Sequence, residues 1–103
     1  MICIFGKMDR EQVLIALREH LPIIKNEYGA ESLALFGSFA RNQQRPDSDI
    51  DLLVKMKKPD FSLLMALKRF LESKLNYKID IVRDGNYLTK RFYNIIGKDI
   101  IYV

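Results

Sequence analysis

The sequence has little of what a cross-linked, membrane-spanning or repetitive protein needs. It contains one cysteine, Cys3, and one histidine, so neither an internal disulfide nor a zinc site of Cys and His ligands can form. Its longest apolar runs fall far short of the ~20 residues that a membrane-spanning helix requires. Three Pro, five Gly and no biased tract exclude a collagenous or low-complexity chain. These absences predict a soluble globular domain.

The first residues lack the signals of export. Met1–Gly6 is a short apolar run with no basic segment before it and no small-residue cleavage site after it, which argues against a signal peptide. The cytoplasm is therefore the expected compartment, with no membrane contact. A length of 103 residues predicts one domain over 1–103. The net charge of +4 favours ligands that carry phosphate without requiring nucleic acid.

The spacing of apolar residues predicts alternating helices and strands. A capping box of Asp9 and Gln12 begins a helix over about 10–20, and Pro22 is expected to bend it or to start a second short helix that Gly29 ends. Asp60 is expected to cap another helix, which ends near Asn76. The other predicted elements are strands at Ser32–Phe36, Asp49–Lys55, Lys78–Val82 and Ile100–Val103, and a last helix between a turn at Asp84–Asn86 and Gly97. This alternation indicates an α/β or α+β fold, with a small mixed β-sheet flanked by helices.

Three aspartates follow the alternation of two strands. Asp49 and Asp51 are two residues apart and project to one face, and Asp80 joins them if its strand is a neighbour. Carboxylates that close repel one another, a cost that a bound hard cation such as Mg²⁺ relieves. The cluster therefore predicts a site of phosphoryl or nucleotidyl transfer. The alternative for Asp-x-Asp alone, which is the more common case, is the solvent face of a strand.

Gly37-Ser38, twelve residues before Asp49, is a candidate phosphate-binding turn. Gly permits close approach of the backbone, and a short helix beginning there offers unpaired N–H groups. Ser38 can supply a hydroxyl and an amide, and Arg41 lies one helical turn further on. Taken singly, the dipeptide is an ordinary turn and Arg41 a solvated charge. Their joint spacing to Asp49 and Asp51 favours the functional interpretation.

The stretch L-F-G-S-F-A-R-N-Q-Q-R-P-D-S-D-I-D-L-L-V over Leu35–Val54 resembles the G-S-x-A-R-G and S-D-x-D-L signature of the polymerase-beta-like nucleotidyltransferase superfamily. Together with the short length, the L-P-x-x-K-x-x-Y-G lead at Leu21–Gly29 and the I-D-I-V strand at Ile79–Val82, it is similar to the minimal nucleotidyltransferases. The resemblance begins near Arg10, which leaves Met1–Lys7 as an unmatched extension. The usual Gly after Arg41 is replaced by Asn42, the non-glycine type that best tolerates a left-handed backbone.

The resemblance implies roles for the residues that match the signature. Gly37 and Ser38 would hold the triphosphate tail of ATP, with Arg41 and Ser48 also in the nucleotide-binding set. Asp49, Asp51 and Asp80 would bind two Mg²⁺ ions, and Asp80 would also draw the proton from the attacking hydroxyl.

The family also implies a partner. Genes of minimal nucleotidyltransferases usually accompany a HEPN-domain protein, and the resemblance implies an antitoxin that transfers AMP to a tyrosine of that HEPN toxin. No residue of this sequence shows the acceptor.

Two other functions stay open at this point. One is an antitoxin that neutralises its partner by contact alone, against which the retention of three mutually repelling acids speaks. The other is a nucleic-acid binder, for which the candidate contacts are Lys55, Lys57, Lys58, Lys68, Arg69, Lys90 and Arg91. These basic residues alternate with apolar positions and form no stripe interleaved with aromatics, so a solvated face is the favoured interpretation.

Overall fold

The computed structural model describes residues 8–103; the expected extension Met1–Lys7, with Cys3, lies outside them. No helix in the described part of the chain is long and apolar enough to cross a membrane. In chain order the elements are α1 (Arg10–Tyr28), β1 (Ala30–Phe36), α2 (Gly37–Ala40), β2 (Ile50–Met56), α3 (Phe61–Leu75), β3 (Ile79–Arg83), α4 (Lys90–Ile96) and β4 (Ile101–Tyr102).

The first helix is longer than the sequence predicts. The capping box of Asp9 and Gln12 is present and Gly29 ends the helix in the left-handed conformation, as predicted. The predicted restart at Pro22 does not occur. Instead, α1 runs through the proline as one helix. Leu17 and Ile24, on either side of Pro22, are both fully buried. Burial of apolar groups beyond the proline offsets the roughly 3 kcal/mol that proline costs inside a helix.

The four strands form one mixed sheet in the order β3-β2-β1-β4, which confirms the predicted fold class. β1 is antiparallel to both β2 and β4, whereas β2 and β3 are parallel and are joined by the crossover helix α3. The boundaries differ from the predictions by one or two residues. β1 begins at Ala30, which pairs with Met56 across a register shift, and β2 begins after Asp49.

The two faces of the sheet are covered unequally. On one face, α1 and α3 pack on alternate strand residues such as Leu33, Leu52 and Ile79, all completely buried. On the other face, Ile96 of α4 packs with Ala34 and Leu53 in a smaller apolar cluster. Asp60 caps α3 and Asn76 ends it in the left-handed conformation, as predicted. The thinly covered second face carries the candidate site.

Candidate active site

At Gly37, the end of β1 comes into contact with the beginning of β2. Its φ of +76° is a conformation that favours glycine. A Cβ built at this position would lie 2.1 Å from Oδ2 of Asp51, so no larger residue fits without movement of that carboxylate. The close approach expected of Gly37 is therefore made to Asp51.

Asp51 and Asp80 are direct neighbours across the parallel strands. The register pairs Asp51 with Asp80, and the antiparallel register pairs Phe36 with Asp51. Residues paired across a sheet project to the same face, so the two carboxylates share the face that α4 partly covers. The next row on that face consists of the apolar residues Ala34, Leu53 and Val82. The acids thus lie at the edge of an apolar surface.

The surroundings of Asp51 raise the pKa of its carboxyl group. Burial, followed by the charges of Asp80 and Asp49, raises the pKa of Asp51 to about 6, and the Arg41 guanidinium opposes this shift. Both neighbouring acids are therefore close enough to disfavour the ionised form of Asp51. A half-buried carboxylate held at such a cost is a frequent mark of a functional site.

The donor set suits a hard divalent cation. Asp51 and Asp80 are in register, Asp49 is near enough to act on the pKa of Asp51, and carboxylate oxygens are the ligands that Mg²⁺ prefers. In residues 8–103 no three acidic, histidine or cysteine side chains are close enough together to hold a metal ion as they stand. The assignment of Asp49, Asp51 and Asp80 as metal ligands stays a prediction.

Asp49 has a cationic neighbour. Its Oδ2 lies 3.8 Å from Nζ of Lys78, and the carboxylate is about one-third exposed whereas the lysine side chain is mostly exposed. Sequence reasoning treated Lys78 only as the beginning of a strand. The signal was its position two residues before Asp80, which places both side chains on the same face of the strand.

The Gly37-Ser38 turn begins a short helix, as predicted. α2 covers Gly37–Ala40, and the carbonyl groups of its first three residues accept hydrogen bonds from the following loop, including one of 2.8 Å from the Gln43 amide to the Ser38 carbonyl. Asn42 has a φ of +59°, which confirms that an asparagine takes the left-handed position here. Arg10 Nη1 donates to the Ala40 carbonyl at 3.2 Å and joins α2 to α1.

Arg41 and Ser48 both lie in the loop between α2 and β2. Arg41 is exposed, donates from Nε to Gln43 Oε1 at 3.3 Å, and is close enough to Asp51 to act on its pKa. The hydroxyl of Ser48 accepts a hydrogen bond from the Arg45 amide at 2.8 Å. Ser48 is therefore engaged in shaping the loop, and its role toward a nucleotide stays a prediction, as do those of Gly37, Ser38 and Arg41.

A cleft of about 270 Å³ opens beside Asp49. Its walls are the loop Pro46–Asp49 and the segment Asn76–Lys78 that leads into β3. The cleft combines an aromatic ring, an amide, an ammonium group and carboxylates. The cleft shares Asp49 with the acidic cluster.

Comparisons with known proteins agree with this geometry. A family model described as "Nucleotidyltransferase domain" matches residues 17–102. A Methanocaldococcus jannaschii protein provisionally named a protein adenylyltransferase is 40% identical over 88 residues, which cover 84% of this chain and 90% of the relative. A solved structure provisionally described as a minimal nucleotidyltransferase has 35% identity and a TM-score of 0.74, and the match covers 91% of this chain and 95% of that one.

A more distant structure shares the fold. A chain from the complex of a tri-AMPylated Shewanella oneidensis HEPN toxin with an MNT antitoxin has 19% identity and a TM-score of 0.54. The match covers 90% of this chain and 66% of that one.

Proposed function

Because this chain belongs to the nucleotidyltransferase domain family and is an enzyme of that class, we propose that it transfers AMP from ATP to a hydroxyl group of a protein. The observation that carries the proposal is the juxtaposition at the ends of β1, β2 and β3. Gly37 lies against Asp51, which is in register with Asp80. A glycine turn beside paired acids is an arrangement that suits nucleotidyl transfer.

Asp49, Asp51 and Asp80 would hold the metal, which we propose to be two Mg²⁺ ions. When bound, Mg²⁺ neutralises the charge that develops on the phosphate oxygens. The raised pKa of Asp51 supports this assignment, because a cation among the three acids would remove the repulsion that contributes to it.

The remaining groups bind and orient. Gly37 and Ser38 would hold the triphosphate tail through the amides that begin α2, with Arg41 beside them. Asp80 would accept the proton of the acceptor hydroxyl. The acceptor oxygen then forms a bond to the α-phosphorus, the bond from that phosphorus to the bridging oxygen breaks, and pyrophosphate leaves with the electron pair.

We further propose that the acceptor is a tyrosine of a HEPN-domain toxin and that the chain is its antitoxin. Two findings support this step. The relative from M. jannaschii carries a protein adenylyltransferase name, and the fold is shared with a chain from a complex that contains an AMPylated HEPN toxin. The competing proposal is neutralisation by contact alone, without turnover.

The test uses ATP labelled at the α-phosphate, the purified chain, Mg²⁺ and a candidate HEPN-domain partner protein. We expect label on the protein partner, and none when the label is on the γ-phosphate. Asp51→Asn should lower the rate by ~10²-fold or more, the loss typical of an electrostatic catalytic group. Asp60→Asn is the matched control, because asparagine can also cap α3 and Asp60 follows the other end of β2.

Two outcomes would contradict the proposal. Equal transfer by wild type and Asp51→Asn would remove Asp51 from the reaction. No transfer by the wild type, together with full neutralisation of the partner, would establish contact alone as the mechanism.

A further inference from the structure

The cleft beside Asp49 lies where β2 and β3 begin, whereas the phosphate turn follows β1. The sheet places β1, which ends at Gly37, next to β2, and β2 next to the edge strand β3. Asp51 lies against Gly37. Lys78, the residue directly before β3, forms part of the wall of the cleft. The order across the sheet is therefore the phosphate turn beside β1, Asp51 on β2, and the cleft between the segments that lead into β2 and β3.

This order has a consequence for the direction of attack. If Gly37 and Ser38 hold the triphosphate tail, pyrophosphate leaves toward β1. In an in-line displacement the attacking oxygen and the leaving oxygen lie on opposite sides of the phosphorus. The acceptor oxygen must then approach from the β3 side, over Asp80 and from the direction of Lys78.

The composition of the cleft suits a side chain that carries a hydroxyl. A volume of about 270 Å³ is small for a ligand pocket, and its lining residues Asn76, Lys78 and Asp49 carry hydrogen-bonding groups. Asn76 presents an amide, and the Lys78 ammonium lies 3.8 Å from a carboxylate oxygen of Asp49. An ammonium group near the acceptor oxygen favours its ionised form, which is the better nucleophile.

We propose that the cleft between Pro46–Asp49 and Asn76–Lys78 is the acceptor site, and that it receives the phenol side chain that is to be adenylylated. The proposal rests on the transfer reaction proposed above. Asn76 positions the acceptor segment through its amide. Lys78 lies beside the incoming oxygen and stabilises its negative charge. The nucleoside moiety of ATP is excluded from this cleft.

The first experiment measures binding and needs no turnover. The isotopically labelled full chain is titrated with Mg²⁺ and AMP-PNP, then with N-acetyltyrosinamide, while backbone amide resonances are followed by NMR. AMP-PNP should shift the Ser38 amide and tyrosinamide should shift those of Asp47 and Lys78. Asn76→Gly, which keeps the left-handed conformation at φ +52°, should weaken tyrosinamide binding roughly fivefold without changing AMP-PNP binding.

The second experiment measures transfer of AMP to the HEPN-domain partner. Asn76→Gly should raise the KM for the partner roughly tenfold and leave the KM for ATP unchanged, the split expected of a residue that binds only the acceptor. Lys78→Met should lower kcat for the transfer, and Lys78→Arg, which keeps the positive charge, should restore it. Lys57→Ala, an exposed lysine beyond the other end of β2, is the control and should change neither constant.

Three results would overturn the proposal. The cleft would be a nucleoside site if Asn76→Gly weakened AMP-PNP as much as tyrosinamide. The absence of any tyrosinamide-dependent shift at Asp47 and Lys78 would exclude an acceptor site. An unchanged KM for the protein partner in Asn76→Gly would also exclude an acceptor site. A wild-type chain that transfers no AMP would refute the proposed function, while the binding titration would still decide what the cleft accepts.

Discussion

Asp51 combines three costs that a purely structural residue would avoid. It is half-buried, it faces Asp80 across the strands, and its carboxylate lies where a side chain on residue 37 would be. The proposed role of Asp51 and the stability of the fold therefore conflict at this position, a conflict that is common in active sites.

The conflict predicts a pH dependence of stability in the absence of metal. The pKa of Asp51 is raised from 3.8 to about 6 in the folded state, so the folded chain holds this proton more tightly than the unfolded chain does. The stability that Asp51 contributes is present below pH 3.8 and is lost as the pH rises through about 6. With a chelator present, the melting temperature of Asp51→Asn should therefore rise relative to that of wild type as the pH increases from 4 to 7.

Magnesium supplies the control for this prediction. At pH 7.5 the ion should raise the melting temperature of wild type more than that of Asp51→Asn, because the variant has lost a ligand charge. A difference in melting temperature that does not change with pH or with Mg²⁺ would show that Asp51 is neither strained nor a metal ligand.

Gly37→Ala should be far more damaging than an ordinary glycine substitution. The positive φ alone costs a residue with a Cβ roughly 1–2 kcal/mol, and the methyl group would also displace the Asp51 carboxylate. We expect a lower melting temperature and a ~10²-fold loss of AMP transfer, since small displacements at a reacting centre have effects of that order.

Gly85→Ala is the comparison. A Cβ at Gly85 would meet the far end of the flexible Arg83 side chain, which can move, and the backbone there has no positive φ. A Gly37→Ala protein that melts and reacts like Gly85→Ala would show that the contact between Gly37 and Asp51 is not required.

At the scale of the elements, α1 contains a local defect that the tertiary structure overrides. Pro22 lies inside the helix and is exposed, and it cannot donate a hydrogen bond to the carbonyl of Arg18. Pro22→Ala restores this donor and should stabilise the protein by roughly 1–3 kcal/mol, without changing AMP transfer, because the position is remote from the acids.

Pro59→Ala is the control, because it is not expected to raise the free energy of unfolding. Pro59 lies in the loop before the cap of α3, where replacing proline only increases the freedom of the unfolded chain. It should leave stability unchanged or lower it by about 0.4–1 kcal/mol, as measured by denaturant unfolding. If Pro22→Ala also destabilised the protein, the proline would have a role in packing that its exposure does not indicate.

At the scale of the whole molecule, the chain has a net charge of +4. Lys55 pairs with Glu31 at 3.4 Å and Lys78 with Asp49, so part of the positive charge is locally balanced. We expect no measurable binding of a single-stranded oligonucleotide at about 150 mM salt, and no transfer of AMP to its 3′ hydroxyl. Fluorescence anisotropy between low and physiological salt checks this, and a steep loss of a strong signal would favour the nucleic-acid binder.

The sequence by itself determined the local features of this protein. Local stereochemistry predicts the capping box at Asp9, the cap at Asp60 and the left-handed Asn42, and the structure has all three. Strand periodicity predicts that the side chains of Asp49, Asp51 and Asp80 project to the same face. That one domain spans 1–103 stays a prediction.

Only the tertiary structure decided how these features meet. Continuity of α1 through Pro22 depends on burial of Ile24 against distant residues, which local propensity does not contain. The contact of Gly37 with Asp51 depends on the antiparallel register of β1 and β2. The cleft beside Asp49 exists because the α3 crossover places Asn76–Lys78 next to a loop some thirty residues earlier in the chain. Such contacts are set by packing between distant segments, and no pattern within a single segment specifies them.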